Sequence, residues 1–409
     1  MKDRSRLPES LPCYIYDERK IRSALRELKE ALPGVQFLYS AKCNPFEPVV
    51  RTITGEGFGI DAASVGEVLL GERCGAGAGR IYYSAPGKTR EELEEAYSRC
   101  VITADSLHEL ALLEEIGKEK GEVIDAGLRV HPDFEMGTGA AGSVRSPGRP
   151  SKFGVDLEDM DALKAALSGC PHVKIIGIHV HLRSQVLSAE VLASYYRAVF
   201  DTCVRLAGEL HFTPEFLNLG SGIGAVYHPG EQPVDLAVLK AALDPIRREC
   251  EARWNARLLI ETGRYLVMRA GSYLTRVVDR KVSHGKTYIV VKNGMNGFFR
   301  APLRNLLVDA AGTEDLPGME PLFTESSEFE VRALPPLSDE QETVTIVGDL
   351  CTPLDRMAQD VTLPKLSIGD VLLFTNAGAY AYSLSPLLFS SQKGPAEYLE
   401  TEDGEFLEK

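Results

Sequence analysis

The sequence predicts an α/β protein in which a (β/α)8 barrel of the TIM type is followed by a β-rich C-terminal domain. Two observations support this prediction. Apolar strand-like runs alternate with amphipathic helical stretches from residue 12 to about residue 270, and beyond that point helical patterns fade while strand-like runs continue. Alternating strands and helices are typical of βα units around a parallel sheet, and seven or eight such units in about 250 residues fit a closed barrel.

The barrel prediction depends on short apolar runs and on the helical stretches between them. Helical stretches rich in Ala, Leu, Glu and Lys include 90–100 and 106–121. The strand-like runs are 13–17, 35–41, 127–132, 174–182, 214–220 and 256–263. Runs of this length and composition, separated by helical patterns, indicate parallel strands joined by crossover helices.

The last third of the sequence predicts a second, β-rich unit. Its strand-like runs are 273–283, 286–291, 329–334, 342–348 and 370–376. We expect the barrel to comprise residues 18–270. A β-sandwich or β-barrel-like domain would comprise residues 271–409 together with 1–17, because the run CYIYD near the N-terminus can join it.

Composition and charge exclude several function classes. The formal net charge of −14 argues against nucleic acid and anionic membranes as partners. The N-terminus lacks the apolar core of a signal peptide, and no apolar run is long enough to span a bilayer. The eight cysteines show no CxxC pair or zinc-like spacing, which fits a reducing compartment. We expect a cytoplasmic protein that binds a small molecule.

Three features at predicted strand ends are candidates for chemistry. Lys42 follows the apolar run VQFLYS, and a partly desolvated lysine amine there forms Schiff bases readily. The glycines of GSGIG at 220–224 follow another strand and let backbone N–H groups approach a phosphate. Glu261 ends the run ARLLI. Each feature alone also fits a structural role: a surface lysine, a tight turn, a salt-bridged acid.

His179 and His181 alternate with Val180, so both side chains point to the same side of a strand. The spacing suits a metal, but no nearby carboxylate or cysteine completes a ligand set, and we expect no metal site. The alternatives are an imidazole packed on an aromatic cofactor and a satisfied core histidine. The Gly-, Ser- and Arg-rich segment 134–150 is either a functional loop or a surface insertion.

Ten motifs, in order along the chain, carry a family resemblance. They are YSAKCNP, GIDAASVGE, SAPGK, LRV, SKFGV, GIHVH, LNLGSGIG, ETGRYLV, GDLCTPLD and NAGAY. Over residues 12–395 the chain resembles the fold-type III pyridoxal 5′-phosphate (PLP) decarboxylases, the group that contains diaminopimelate, ornithine and arginine decarboxylases. The resemblance implies an alanine racemase-like fold, PLP as the cofactor and a homodimer with shared active sites.

The resemblance also implies roles for individual residues. Lys42 matches the lysine that carries the cofactor, Glu261 the acid at the pyridine nitrogen and His179 the histidine stacked on the ring. Cys351 matches a catalytic residue, and it and Asp355 match residues that enter the site from a second subunit. The remaining implied cofactor contacts are Asp61, Arg129, Gly220, Ser221, Gly222, Gly263, Arg264 and Tyr380, and the remaining implied substrate contacts are Arg264, Arg300 and Thr352.

Glu261 distinguishes two reactions of this fold. A carboxylate beside the pyridine nitrogen keeps that nitrogen protonated, so the ring withdraws electrons strongly from a carbanion at the substrate Cα. The related alanine racemases place an arginine there, which gives a weaker electron sink. Glu261 therefore favours decarboxylation, and Cys351 is a candidate for returning a proton to Cα.

Three departures concern the substrate. Thr352 stands where diaminopimelate decarboxylases carry a glutamate, GFFRAPL around Arg300 lacks the tyrosine of their RPALY-like run, and HVHLRSQ replaces HIGSQ. We expect a modified or conjugated amino acid of secondary metabolism, such as a citrate-linked diamino acid of siderophore assembly or a carrier-tethered amino acid. Diaminopimelate and a catalytically inactive regulator, like the antizyme inhibitors, are the alternatives. The cations suited to extra carboxylates, or else to a solvated surface, are Arg149, Lys152, Arg183 and Arg300.

Overall fold

The computed structural model describes residues 7–132, 134, 150–158, 160–220, 222–311 and 329–408. The predicted loop segment 134–150 therefore lies outside the described residues except at its two ends, and so do Ser221 and Arg149. Within the described parts of the chain, every helix is too short or too polar to cross a membrane.

The elements of the first 270 residues alternate as the sequence predicts. The first strand is β1 (Cys13–Asp17), and it lies outside the barrel. The strands that follow are β2 (Val35–Ser40), β3 (Gly59–Ala62), β4 (Ile81–Tyr83), β5 (Val101–Ala104), β6 (Ile124–His131), the two-residue β7 (Val155–Asp156), β8 (Val173–His179), β9 (Phe216–Asn218) and β10 (Arg257–Thr262). The helices are α1 (Glu18–Ala31), α2 (Glu47–Gly55), α3 (Val65–Arg73), α4 (Arg90–Ala96), α5 (Leu107–Lys120), α6 (Met160–Ser168), α7 (Ala189–Glu209), α8 (Leu236–Trp254) and α9 (Arg264–Val267).

Eight parallel strands close a barrel in the order β2, β3, β4, β5, β6, β8, β9, β10 and back to β2. This confirms the predicted (β/α)8 class. A cluster of buried side chains from neighbouring strands, which includes Leu38, Tyr82 and Phe216, forms a separate core. Gly177 is required beside it, because a Cβ there would lie 2.5 Å from the ring of Phe216.

Helix starts carry the polar caps that unpaired N–H groups at a helix start require. The side chains of Ser64, Ser106 and Ser188 each accept a hydrogen bond from a backbone N–H in the first turn of α3, α5 and α7. Thr89 and Glu92 form a reciprocal capping box at α4. These caps mark where α3, α4, α5 and α7 begin after the strands that precede them.

The remainder of the chain forms a second sheet. Its elements are β11 (Gly271–Ser283), β12 (Lys286–Val291), α10 (Arg300–Ala311), β13 (Val331–Ala333), β14 (Gln341–Val347), β15 (Arg356–Pro364), β16 (Val371–Phe374), β17 (Ala396–Glu400) and β18 (Phe406–Glu408). The strand order is β15, β14, β12, β11, β1, β17, β18, with β16 on β11 and β13 on β16. The division of the chain into domains at residues 17 and 270 stays a prediction.

Helix α10 differs from the sequence expectation, which placed no helix in this region. Its residues RAPLRNLLVDAA contain mostly good helix formers, whereas the glycine- and asparagine-rich run before it suggests a loop. The helix brings Arg300 to 1% exposure beside the barrel, so it contributes to the site described next.

Candidate active site

Charged side chains from five strands converge at the carboxyl end of the barrel. Asp61 lies in β3, Arg129 in β6 and Glu261 in β10, each near the end of its strand, and His179 is the last residue of β8. Lys42 follows β2 by two residues. The carboxyl ends of parallel barrel strands share one face, which is where the sites of such barrels lie.

Lys42 and Asp61 form the first pair in this cluster. The Lys42 amine lies 3.6 Å from Oδ2 of Asp61, and its side chain is 48% exposed at the barrel mouth, whereas Asp61 is 2% exposed. The Asp61 carboxylate, with a smaller effect from Tyr380 and Glu261, raises the pKa of Lys42. Ser84 donates to Oδ1 of Asp61 at 2.8 Å, while Oδ2 is buried without a hydrogen-bond partner in the described residues.

Glu261 is buried among groups that favour its ionised form. Asn218 donates a hydrogen bond to Oε1 at 2.9 Å, His179 Nε2 lies 3.0 Å from the same oxygen, and His181 Nδ1 lies 3.6 Å from Oε2. Burial alone would raise the pKa of Glu261, but His179, His181 and Lys42 outweigh it and lower that pKa. The site therefore holds a buried carboxylate that stays ionised.

The two histidines of the GIHVH run differ. His179 is 1% exposed, and neither ring nitrogen makes a hydrogen bond to a described residue; the 3.0 Å approach to Glu261 lacks hydrogen-bond geometry. Burial lowers the pKa of His181 to about 3, against the attraction of Glu261, so this ring is neutral near pH 7. Among the described residues, no three metal-binding side chains come together.

Arg129 is held by a buried ionic chain. Asp105 accepts from Arg129 at 3.2 Å through Oδ1 and from the Gly154 backbone N–H at 3.0 Å through Oδ2. The guanidinium also lies 4.4 Å from the ring centre of Phe153. The SKFG turn thereby packs on Arg129, which is in register with His179 on the neighbouring strand of the barrel.

The ionic chain continues away from the site. Glu109 accepts from the backbone N–H of Asp105 at 2.8 Å, and its carboxylate lies 2.7 Å from the fully buried amine of Lys88. A buried pair of this kind keeps both charges compensated. Asp105 is therefore fixed on its backbone side as well as by Arg129.

The predicted glycine loop makes very close backbone contacts. Gly220 has φ +71° and an added Cβ would lie 2.3 Å from the Val180 carbonyl oxygen. Its carbonyl accepts from the Glu261 N–H at 2.9 Å, so the loop is tied to β10. Gly222 has φ +146°, and a Cβ at Gly263 would lie 3.0 Å from Cys43. Ser221, the other predicted phosphate contact, lies outside the described residues.

Two arginines and two tyrosines form a buried cluster beside this loop. Arg264 and Arg300 both donate to the hydroxyl of Tyr227, at 2.8 and 2.9 Å, and Arg300 also donates to the carbonyl of Ala379 at 3.1 Å. Tyr380 packs 5.0 Å from the Arg264 guanidinium. Burial lowers the pKa of Arg300, and the positive charge of Arg264 adds to that effect.

The NAGAY segment reaches the site from the second sheet. The backbone N–H of Tyr380 donates to the Cys43 carbonyl at 2.8 Å, and Asn44 donates to the Gly378 carbonyl at 3.0 Å. Tyr380 adopts φ +52° in this turn. The first of these hydrogen bonds places the Tyr380 backbone against Cys43, the residue after Lys42, while the cofactor contact of Tyr380 stays a prediction.

No described contact joins Cys351, in the GDLCTPLD loop, to Lys42. Cys351 is exposed, and Thr352 accepts from the backbone N–H of Leu354 at 3.3 Å. Asp355 is buried, and its carboxylate accepts from the backbone N–H groups of Met295 at 2.5 Å and Leu350 at 2.9 Å. In this geometry Asp355 shapes its own loop, and the described contacts of Lys42 include none with Cys351.

Sequence reasoning missed three residues of the site. Asn218 was visible in LNLG at a strand end but was not singled out, and Asp105 follows the short strand VITA. Tyr227 lies in the loop after the glycines with no local signal that marks it. All three are polar residues whose role depends on contacts between elements far apart in the sequence.

Comparison with known proteins identifies the group to which this site belongs. The family model described as pyridoxal-dependent decarboxylase, pyridoxal binding domain, matches residues 18–268 of this chain. The L-glutamyl-[BtrI acyl-carrier protein] decarboxylase of Niallia circulans is 31% identical over 398 residues, 95% of this chain and 88% of that protein. The 2-[(L-alanin-3-ylcarbamoyl)methyl]-2-hydroxybutanedioate decarboxylase of Staphylococcus aureus is 30% identical over 390 residues, 93% of this chain and 92% of that protein.

A solved structure shares the whole architecture. The diaminopimelate decarboxylase of M. jannaschii, in complex with L-lysine, has a TM-score of 0.80 and 26% sequence identity. The match covers 97% of this chain and 88% of that one. The barrel and the second sheet therefore occur together in both proteins.

Proposed function

This chain belongs to the family of pyridoxal-dependent decarboxylases, and we propose that its substrate is a modified or conjugated amino acid whose α-carboxylate it removes. The family fixes the reaction class and PLP as the cofactor. The observation that carries the substrate proposal is the pair of buried guanidinium groups, Arg264 and Arg300, that meet at Tyr227 beside the cofactor residues.

The cluster at the barrel mouth fits the chemical groups of PLP. The orphaned buried oxygen of Asp61 beside Lys42, and the unpartnered ring of His179, are polar atoms that a bound ligand could satisfy. A Cβ at Gly220, Gly222 or Gly263 would clash with neighbouring protein atoms, so these glycines let the backbone pack closely at the site, and its N–H groups would hold the phosphate. Lys42 would hold the aldehyde carbon, His179 the ring face and Glu261 the ring nitrogen.

Bound PLP supplies an electron sink for the charge that loss of CO₂ leaves on the substrate Cα. Glu261 would serve that sink, because an ionised carboxylate would favour a proton on the ring nitrogen that it holds. Asp61 lies 3.6 Å from the Lys42 amine and favours a positive charge on that nitrogen. Asp105 fixes the Arg129 guanidinium, and Arg129 is in register with His179 in the barrel.

Protonation of Cα needs a further acid, and we assign it to Cys351. Because Cys351 is exposed and has no described contact with Lys42, the proposal includes a homodimer in which Cys351 of one copy completes the site of the other. Asp355 holds the Cys351 loop in shape through the backbone of Leu350. The dimer follows from the family resemblance.

The substrate's distal part is proposed to be anionic or acylated. A desolvated double cation attracts carboxylates through charge-assisted hydrogen bonds. Thr352 supplies no charge to hold a distal amine, which diaminopimelate would require. Two relatives support this class: one acts by name on a glutamyl group of an acyl-carrier protein, the other on a hydroxybutanedioate that bears an alanyl amide.

A CO₂-release screen tests the proposal. The panel contains meso-diaminopimelate, lysine, ornithine, arginine, a citrate amide of 2,3-diaminopropionate and a glutamyl thioester. We expect release from one of the last two, with loss of release and of the cofactor's visible absorbance in Lys42→Ala. Lys120→Ala, a surface lysine paired with Glu94, is the matched control.

The result that would contradict the substrate proposal is efficient turnover of meso-diaminopimelate. Diaminopimelate decarboxylase is the second candidate, and the similarity to the M. jannaschii enzyme favours it. Thr352→Glu sharpens the distinction. If Thr352 faces the distal group, this variant lowers turnover of an acylated substrate by about tenfold or more and improves turnover of diaminopimelate.

A further inference from the structure

We infer that Asn218 is a positioning residue that fixes the Glu261 carboxylate and the glycine loop in one common geometry. The inference rests on the roles proposed above for Glu261 and Gly220. It concerns a residue that neither touches the reacting atoms nor carries charge. Its effect is exerted through Glu261 and through the backbone of the loop.

Asn218 stands at the centre of the cofactor residues by strand register. It is the last residue of β9, level with His179 on β8 and with Leu259 on β10. Its side chain is fully buried. Its backbone carbonyl accepts from the Val180 N–H at 3.1 Å, which ties β9 to the strand end that carries both histidines.

The amide of Asn218 joins two parts of the site. Nδ2 donates to Glu261 Oε1 at 2.9 Å, and Oδ1 accepts from the Gly220 N–H at 2.9 Å. The Glu261 N–H in turn donates to the Gly220 carbonyl at 2.9 Å. Asn218, Gly220 and Glu261 therefore form a closed ring of hydrogen bonds.

Asn218 supplies a hydrogen bond that the neighbouring histidine does not. His179 Nε2 is as close to Oε1, at 3.0 Å, but lacks hydrogen-bond geometry. A carboxylate with one oxygen fixed has a defined plane, so the direction in which it meets a ring nitrogen is set before the ligand arrives. Preorganised groups avoid reorganisation during the reaction.

Asparagine suits this position better than similar side chains. One end must accept from an N–H and the other must donate to a carboxylate, which only an amide of this length does. Aspartate would place two carboxylates at hydrogen-bond distance, where both cannot remain ionised. Leucine would keep the volume but leave the Gly220 N–H and the Glu261 oxygen unsatisfied.

The test measures PLP affinity of the apo-protein and kcat and KM of the holoenzyme in Asn218→Asp, Glu261→Gln and the double variant. In Asn218→Asp we expect PLP affinity and kcat each to fall by about tenfold or more, with KM changed by less than about threefold. In the double variant, the new carboxylate at position 218 can accept from the new amide at position 261. We expect its PLP affinity to return to within about threefold of Glu261→Gln alone, while kcat stays low.

Controls separate positioning from loss of fold. Asn305→Asp removes an amide that donates to the carbonyls of Arg356 and Met357 in the second sheet, and it should leave PLP affinity unchanged. Thermal unfolding of each apo-protein identifies any variant that is not folded. If Asn218→Asp does not fold, two other variants test the inference. The double variant restores the hydrogen-bonded pair. Asn218→Leu should lower PLP affinity by about tenfold or more, as expected for Asn218→Asp.

Additive effects of Asn218→Asp and Glu261→Gln on PLP affinity would overturn the inference, because residues that act through one contact must couple. Wild-type affinity in Asn218→Asp would overturn it as well. Neither result depends on the substrate. A wild-type protein that binds no PLP would instead refute the proposed function.

Discussion

The barrel mouth and the Cys351 loop carry residues of the same proposed site, but the contacts that their side chains make differ. At the mouth, Lys42 faces Asp61, and Glu261 is surrounded by His179 and Asn218, all within 3.6 Å of a partner in the same chain. In the loop, Cys351 is exposed and the Asp355 carboxylate binds backbone N–H groups of its own surroundings.

This difference suggests which part of the proposed function one copy of the chain can perform alone. At the mouth, the proposed cofactor residues contact one another within a single chain. The loop is a preformed, outward-facing element with no described contact to Lys42. We therefore expect cofactor binding to depend on one chain and proton return to depend on two.

The largest expected effect comes from mixing two inactive variants. Lys42→Ala removes the amine that carries the cofactor. Cys351→Ala removes the proposed acid, and the loss of general acid catalysis should lower the rate by about 100-fold or more. If the sites are shared, refolding the two variants together should recover about a quarter of wild-type CO₂ release, because half of the dimers contain one intact site of two. Each variant refolded alone is the control for the mixture. Recovery absent at every mixing ratio would refute the shared site.

A large effect within the mouth alone is expected from Glu261→Gln. A neutral amide no longer favours a proton on the facing ring nitrogen, so kcat should fall by about 100-fold while the cofactor is retained. The measurement is steady-state CO₂ release with PLP occupancy from absorbance. The exposed Glu215→Gln is the control. A kcat within about threefold of wild type would show that Glu261 does not tune the cofactor.

A moderate effect, confined to the loop, is expected from Asp355→Asn. An amide nitrogen would face a backbone N–H where the carboxylate now accepts, which costs about 1–3 kcal/mol. Thermal unfolding should show the lower stability, and kcat should fall through Cys351 while PLP absorbance per chain is unchanged. The exposed Asp360→Asn is the matched control. A loss of PLP binding would mean that the two regions are not independent.

The last effect concerns stability alone, and it depends on pH at the mouth. Burial and the charge of Asp61 raise the pKa of Glu67 to about 7, although its carboxylate accepts from the Ala63 N–H at 2.7 Å. Because this pKa exceeds the unfolded value of about 4.3, stability present at low pH is lost as pH rises through 7. Glu67→Gln mimics the protonated acid.

The prediction for Glu67 is read from apo-protein melting curves between pH 5 and about 8. The Tm of Glu67→Gln minus that of the wild type should increase with pH. A difference that stays constant or decreases would show that Glu67 ionises without cost in the folded protein. Asp349, which is paired with Lys292 beside the Cys351 loop, allows the same melting comparison in that region through Asp349→Asn.

Strong local patterns predicted much of the fold. The long apolar runs before Lys42, His179 and Glu261 correspond to β2, β8 and β10. Strands β3, β4 and β5 have only three or four residues each, too few for a periodic signal, and closure of the barrel fixes their place. Helix α10 was missed because its neighbours in sequence are turn residues.

The site was predictable where a residue stands at a strand end and matches a motif. Lys42, His179 and Glu261 meet because parallel strands end on one face. Asn218 and Asp105 act through register between neighbouring elements, which no local pattern reports. Cys351 has no described contact with Lys42, and its proposed role depends on a second copy of the chain, so neither sequence periodicity nor a single chain tests that role.

The identity of the amine that carries the cofactor can be measured directly. Borohydride reduction of the holoenzyme, followed by digestion and mass spectrometry, fixes the pyridoxyl group to that residue. We predict a single modified peptide with the label on Lys42, and its absence in Lys42→Ala. A label on another lysine, such as the buried Lys88, or no label on a protein that retains bound PLP would contradict the role of Lys42.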